Sequence, residues 1–143
     1  MTDINYSLQI AYYQALIGIA GVPVFYNNLP VNVSPDNYII FRSITSVDNS
    51  TFNTSDLNVQ ITVEIQTWES GLNNGLAASQ AAREVLNRIL PNPSATLTLD
   101  GAQMVTTRLL NDITNQQQGV GNRSYVSRFL TFGHKVFLRD DIS

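Results

Sequence analysis

Between Leu57 and Thr67 the chain reads Leu-Asn-Val-Gln-Ile-Thr-Val-Glu-Ile-Gln-Thr, and Trp68-Glu69 closes the run. Strict alternation over this length suits a β-strand, because successive side chains of a strand point to opposite faces. Leu57, Val59, Ile61, Val63 and Ile65 then fall on one side, and Asn58, Gln60, Thr62, Glu64 and Gln66 on the other. One face is core and the other stays wet or meets a partner. The strand therefore predicts a sheet covered on one side only, whose bare, amide-rich face is the place to look for function.

The segments around it extend this layout. Leu8, Ala11, Tyr12, Ala15, Leu16 and Ile19 recur at helical spacing, so a helix is expected from Ile4 or Tyr6 to Ile19. Asp3 or Asn5 is placed to cap it, and Gly18 and Gly21 to end it. Val22 to Tyr26 reads as a short strand that Pro23 confines to a sheet edge or a strand start. Tyr38 to Thr45 is apolar on both faces over its first half and is expected at the sheet centre. The polar stretch Asp48 to Asp56 links it to the alternating strand as a long hairpin with Phe52 at the tip. A second helix, Leu76 to Leu90, presents Leu76, Ala78, Ala82, Val85, Leu86 and Ile89, and Pro91 and Pro93 stop it. A hairpin of Ala95 to Leu99 and Gln103 to Leu110 turns at Asp100-Gly101, the aperiodic Asn111 to Arg123 is expected to be mobile, and Ser124 to Leu138 is a long aromatic strand. The order is helix, three strands, helix, three strands. That is an α+β fold in which two helices pack on one face of an antiparallel sheet, as a single domain over 1–143.

Composition narrows the function. Only 13% of the 143 residues are charged, about half the usual share, and Asn, Gln, Ser and Thr fill the polar positions. Eight basic residues against eleven acidic ones form no stripe that grips nucleic acid, so any DNA would slide past. With no Cys there is no disulfide, no thiolate nucleophile and no cysteine metal site, which fits a reducing compartment. The N-terminal residues lack the pattern of a signal peptide, and no apolar run approaches the length of a membrane span.

Chemistry has little to work with. His134 is the only histidine, sits mid-strand between Gly133 and Lys135, and reads as an ordinary strand residue. Glu64 and Glu69 are the best carboxylate pair, yet one faces the wet side and the other ends the strand. No acidic loop has calcium-binding spacing, and Gly119-Val120-Gly121-Asn122 precedes a strand where a phosphate loop would need a helix. Glycosylation tripeptides such as Asn32-Val33-Ser34 and Asn122-Arg123-Ser124 are products of the composition. No catalytic group, cofactor or metal is expected.

Interaction signals are stronger. Trp68 lies on the wet-face parity, where a large aromatic either anchors an interface or caps a core edge. Arg42, Arg108 and Arg128 each lie inside a predicted strand, where a guanidinium pairs with a carboxylate of its own sheet or of a neighbour. With Gln66 on the bare face, Phe52 at a hairpin tip, and Gln116 and Gln117 in the second long linker, they are the candidate contact residues.

These elements together carry a resemblance. An N-terminal helix, a Val-Pro-Val-Phe-Tyr strand closed by Leu-Pro, a Tyr-Ile-Ile-Phe strand, a strand ending Thr-Val-Glu-Ile-Gln-Thr-Trp, an Ala-rich helix closing in Leu-Pro and a final Arg-Phe-Leu-Thr-Phe strand resemble the tail terminator, or tail completion, proteins of long-tailed bacteriophages. The likeness runs from about Leu8 to Phe137 and is most specific over Val59 to Trp68 and Leu76 to Leu90. It implies a structural protein of the virion, assembled in the host cytoplasm, that forms a homo-oligomeric ring, usually of six subunits. Its implied partners are the tail tube protein and the head-tail connector, with DNA only passing through the lumen and no membrane involved. Such a ring needs two different patches on each subunit, for which the wet face with Trp68 and a loop or helix edge are the candidates. Another neck or head-completion ring, a minor tail protein, and a small α+β enzyme are the alternatives.

Overall fold

The computed structural model describes residues 4–28, 37–48, 56–70, 76–90, 102–118 and 123–138. Helix α1 (Ile4–Leu16) is followed by a single 3-10 turn at Ile19–Gly21 and then by β1 (Val24–Tyr26), β2 (Tyr38–Asp48), β3 (Asp56–Ser70), α2 (Leu76–Ile89), β4 (Ala102–Gln118) and β5 (Arg123–Leu138). The five strands form one sheet in the order β1-β2-β3-β5-β4. The alternating strand is thus central, paired antiparallel with β2 on one side and with β5 along its whole length on the other.

Its core-face residues behave as the alternation requires. Val59, Ile61, Val63 and Ile65 are buried under the helices together with Ile39 and Phe41 of β2 and Leu130, Phe132 and Val136 of β5. From α1 come Leu8, Ala11, Tyr12 and Leu16, joined by Ile19. The Tyr12 ring is the keystone: it stacks on Phe41 at 5.7 Å and meets Phe132 and His134 edge-on at 6.5 and 5.4 Å. Helix α2 buries Ala78, Ala81, Ala82, Val85 and Ile89, and these small residues let it lie close over β3 and β5. Leu76, expected on that face, is exposed at the first residue of the helix, and Ala81 is buried instead.

Helix α1 ends where its glycine demands. Gly18 takes the left-handed φ of 86°, which glycine reaches without a Cβ penalty. Arg88 of α2 then donates to the freed carbonyls of Ala15 and Ile17 at 3.1 and 2.8 Å, so one helix caps the other. Of the two proposed N-caps, Asn5 lies inside the helix and Asp3 outside the described residues.

Three expectations about the sheet are corrected. It is mixed, because β1 pairs parallel with β2, Val24 opposite Ile39 and Tyr26 opposite Phe41. The connection of residues 27–37 is long enough to carry the chain back to the same end, as a parallel pair needs. Among the described residues five strands are seen where six were expected; the short strand at Ala95 to Leu99 lies outside them. The stretch expected to be a mobile linker, Asn111 to Arg123, is strand as far as Gln118, and β4 pairs with β5 from Ala102 opposite Leu138 to Gln118 opposite Ser124. Its amides show no alternation because β4 is the outermost strand and carries exposed side chains on both faces from Arg108 to Asn115. From Arg108 to Asn115, backbone pairing to β5, not a buried face, holds it in place.

Candidate functional site

Both helices sit on one face of the sheet, and among the described residues no helix covers the other. That bare face is built from Tyr38, Ile40 and Arg42 of β2, the even-numbered residues of β3, the odd-numbered residues of β5, and Arg108 with Ile113 of β4. It is drier than its sequence suggests. Asn58 and Gln60 are exposed as expected, but Thr62 and Gln66 are buried and Glu64 is half-buried.

Neighbouring strands close over these side chains. Tyr38 lies directly opposite Gln66, and Tyr125 of β5 sits diagonally across from it. Both phenols donate to Gln66 Oε1. Burial, reinforced by the Tyr125 hydroxyl, pushes the Tyr38 pKa well above the ordinary tyrosine value. Trp68 meets Tyr125 edge-on with centroids 5.2 Å apart, and its backbone N–H donates to Asn37 Oδ1 at 2.8 Å. Trp68 and Gln66 are therefore brought together in one cluster with two tyrosines that sequence reasoning had not singled out. The sequence carries no sign of this, because which side chains meet Gln66 is set by the registers of β2 and β5 against β3. At the other end of the patch Thr62 Oγ1 and Thr131 Oγ1 lie 3.0 Å apart across the β3–β5 pair.

The arginines separate. Arg42 pairs with Glu64 at 3.2 Å on the bare face and also donates to the carbonyl of Asn27 at 3.3 Å. Arg128 points to the opposite, helix-bearing face, where its guanidinium forks onto Asp112 of β4 at 3.0 and 2.6 Å and reaches Ser79 of α2 at 3.5 Å. The Asp112 hydrogen bonds raise its pKa despite partial burial. Both arginines thus find acids within their own sheet. Arg108 lies opposite Gly133 on the bare face and is exposed. Gln116 and Gln117 are strand residues opposite Val126 and Tyr125, and Phe52 lies outside the described residues.

His134 is not an accessible group. It is 2% exposed, and its two ring nitrogens are flanked by the Tyr12 hydroxyl and by Thr107 Oγ1 at 3.0 Å. Burial pushes its pKa down to about 4, so the ring is neutral near pH 7 and bridges α1, β5 and edge strand β4. Among the described residues no group of His, Asp and Glu is arranged to hold a metal ion, and no described helix is long and apolar enough to cross a membrane.

Two exposed apolar features were missed by the sequence reading. Tyr6, Ile10, Tyr13 and Ile17 recur at helical spacing on α1 and its final turn, on the side facing away from the core. On β4, Leu109, Leu110 and Ile113 are exposed. The first was legible as a second helical stripe on the side of α1 opposite the core stripe; the second was hidden because Asn111 onward shows no strand periodicity.

Comparison with solved structures places this architecture. The chain superposes on a chain of the virion of a native gene transfer agent particle with a TM-score of 0.72 and 18% identity, covering 96% of this chain and 99% of that one. The same fold therefore stands in a virion. No family model matches the sequence, and no curated protein does either. The correspondence spans nearly the full length of both chains, so it includes the central alternating strand, both helices and the long β4–β5 pair.

Proposed function

We propose that this chain is a structural protein of a phage-like virion, and that copies of it form a closed ring that caps the tail tube and joins it to the head connector. The observation that carries the virion role is the end-to-end fold likeness to a gene transfer agent virion chain. The ring and its place at the tube end rest on the sequence resemblance to tail terminators, most specific over Val59 to Trp68 and Leu76 to Leu90.

The physical character of the chain supports assembly over chemistry. A net charge of -3 opposes self-association weakly, and a shortage of Lys and Arg suits a lumen through which DNA passes without being held. A one-sided two-layer domain offers a helical side and a bare sheet side, two different surfaces of the kind that a closing head-to-tail contact requires. The partners on this reading are further copies of the chain, usually six in such rings, the tail tube protein and the connector.

Light scattering after size exclusion, with negative-stain images, tests it at rising protein concentration and with tube protein added. Rings of one fixed subunit number that bind tube ends are expected. A strictly monomeric species under all these conditions counts against every ring reading, and rings that bind connector but not tube favour a neck or head-completion role.

A further inference from the structure

Helix α1 is apolar on two sides. Leu8, Ala11, Tyr12 and Leu16 face the sheet, while Tyr6, Ile10, Tyr13 and Ile17 form a continuous outer stripe with between 40% and 60% of each residue exposed. Nothing on the helix itself offsets this, since Ile4–Leu16 contains no Asp, Glu, Lys or Arg. The stripe leaves on the order of 400 Å2 of mostly apolar surface, the size of the largest apolar patch on a typical monomer, a patch that is often functional.

The complementary feature lies on the other side of the domain. Leu110 is the extra residue at the β4 bulge between Leu109 and Asn111, and its side chain lies over Gly133 on the bare face; Ile113 lies opposite Phe129 on that same face. The two are 44% and 47% exposed. Glycine at 133 is what admits Leu110, because a Cβ there would come within 2.9 Å of Leu110 Cδ1.

We infer that the outer stripe of α1 packs against the Leu110–Ile113 segment of β4 in the next copy of this chain. This rests on the ring reading above and names its contact. Three observations select a second copy as the occupant. The patches differ and lie on opposite faces of the two-layer domain, so the contact is heterologous and propagates from copy to copy, as ring closure needs. Together, and with a polar rim, the patches supply the apolar centre of an interface of roughly 1,200–2,000 Å2. A lipid surface is disfavoured because interfacial helices carry Lys and Arg beside their apolar face, and α1 carries none.

The absence of native cysteine makes the test clean. Tyr13→Cys and Ile113→Cys are made singly and together and treated with a short bis-maleimide. The double variant is expected to give a ladder of cross-linked oligomers, and each single variant none. Dimers from Tyr13→Cys alone mean that α1 pairs with its own copy, which overturns the inference. An uncross-linked double variant that still forms the parent's oligomer overturns it too and leaves the ring standing; a parent chain that stays monomeric, with or without tube protein, removes both. As a second readout, Tyr13→Glu and Ile113→Glu chains with unchanged melting temperature should each be monomeric alone and form only dimers when mixed. Assembly of either alone contradicts the contact.

Discussion

Acidification should loosen the attachment of α1 and β4 to the sheet through a single group. His134 is held neutral between the Tyr12 and Thr107 hydroxyls with a pKa near 4, whereas the unfolded chain titrates near 6.5. The unfolded state therefore binds the extra proton between these values, and stability from this site, complete above about pH 6.5, falls as pH drops toward 4. The full difference is on the order of 3 kcal/mol, of which about 2 kcal/mol is lost by pH 5. Urea unfolding at fixed temperature from pH 7.5 to 4 measures the slope. Carboxylates add their own acid sensitivity, so the comparison is with His134→Gln, which keeps polar atoms beside both hydroxyls but does not titrate. The variant should be less stable at neutral pH and lose about 2 kcal/mol less on going to pH 5. Parallel pH profiles for the two proteins would refute the assignment of a buried neutral histidine.

Four further outcomes follow from the same geometry. Gln66→Leu removes the acceptor shared by the Tyr38 and Tyr125 phenols and should cost about 1–3 kcal/mol in chemical denaturation, although the position was expected to be wet. Trp68→Ala should lower the melting temperature, with a cost of about 2 kcal/mol, because the edge-to-face pair with Tyr125 is intramolecular; unchanged stability with lost assembly would make Trp68 a pure interface anchor. Arg128→Ala breaks a forked pair that is partly solvated and should cost about 1 kcal/mol, less in high salt. Gly133→Ala should cost below about 1 kcal/mol, since exposed Leu110 can swing aside, yet should weaken oligomerisation measured by light scattering.

Where one face of an element is buried, its sequence declared it. The Leu57 to Ile65 alternation, the core stripe of α1 and the Ala-rich face of α2 each show the period of the structure they form, because water and core sort their side chains. The β4 strand shows the limit: exposed on both faces, it needs no alternation, and its pairing partner lies in another part of the sequence. The parallel pairing of β1 was equally hidden, since three residues carry no sign of strand direction. At the candidate site, parity put Gln66 and Trp68 on the correct face, but their dryness comes from Tyr38 and Tyr125 on flanking strands. The pairing of Arg128 with Asp112 was out of reach for a different reason, because the exposed, aperiodic stretch around Asp112 does not show that it is a strand.

The central claim, that the chain closes the tail tube and joins it to the head, is tested most directly by electron microscopy of particles assembled without it. Separate heads and tails, with tubes of irregular length, are the predicted result, and adding the purified protein back should restore joining. Joined particles with tubes of normal length in its absence would contradict the account.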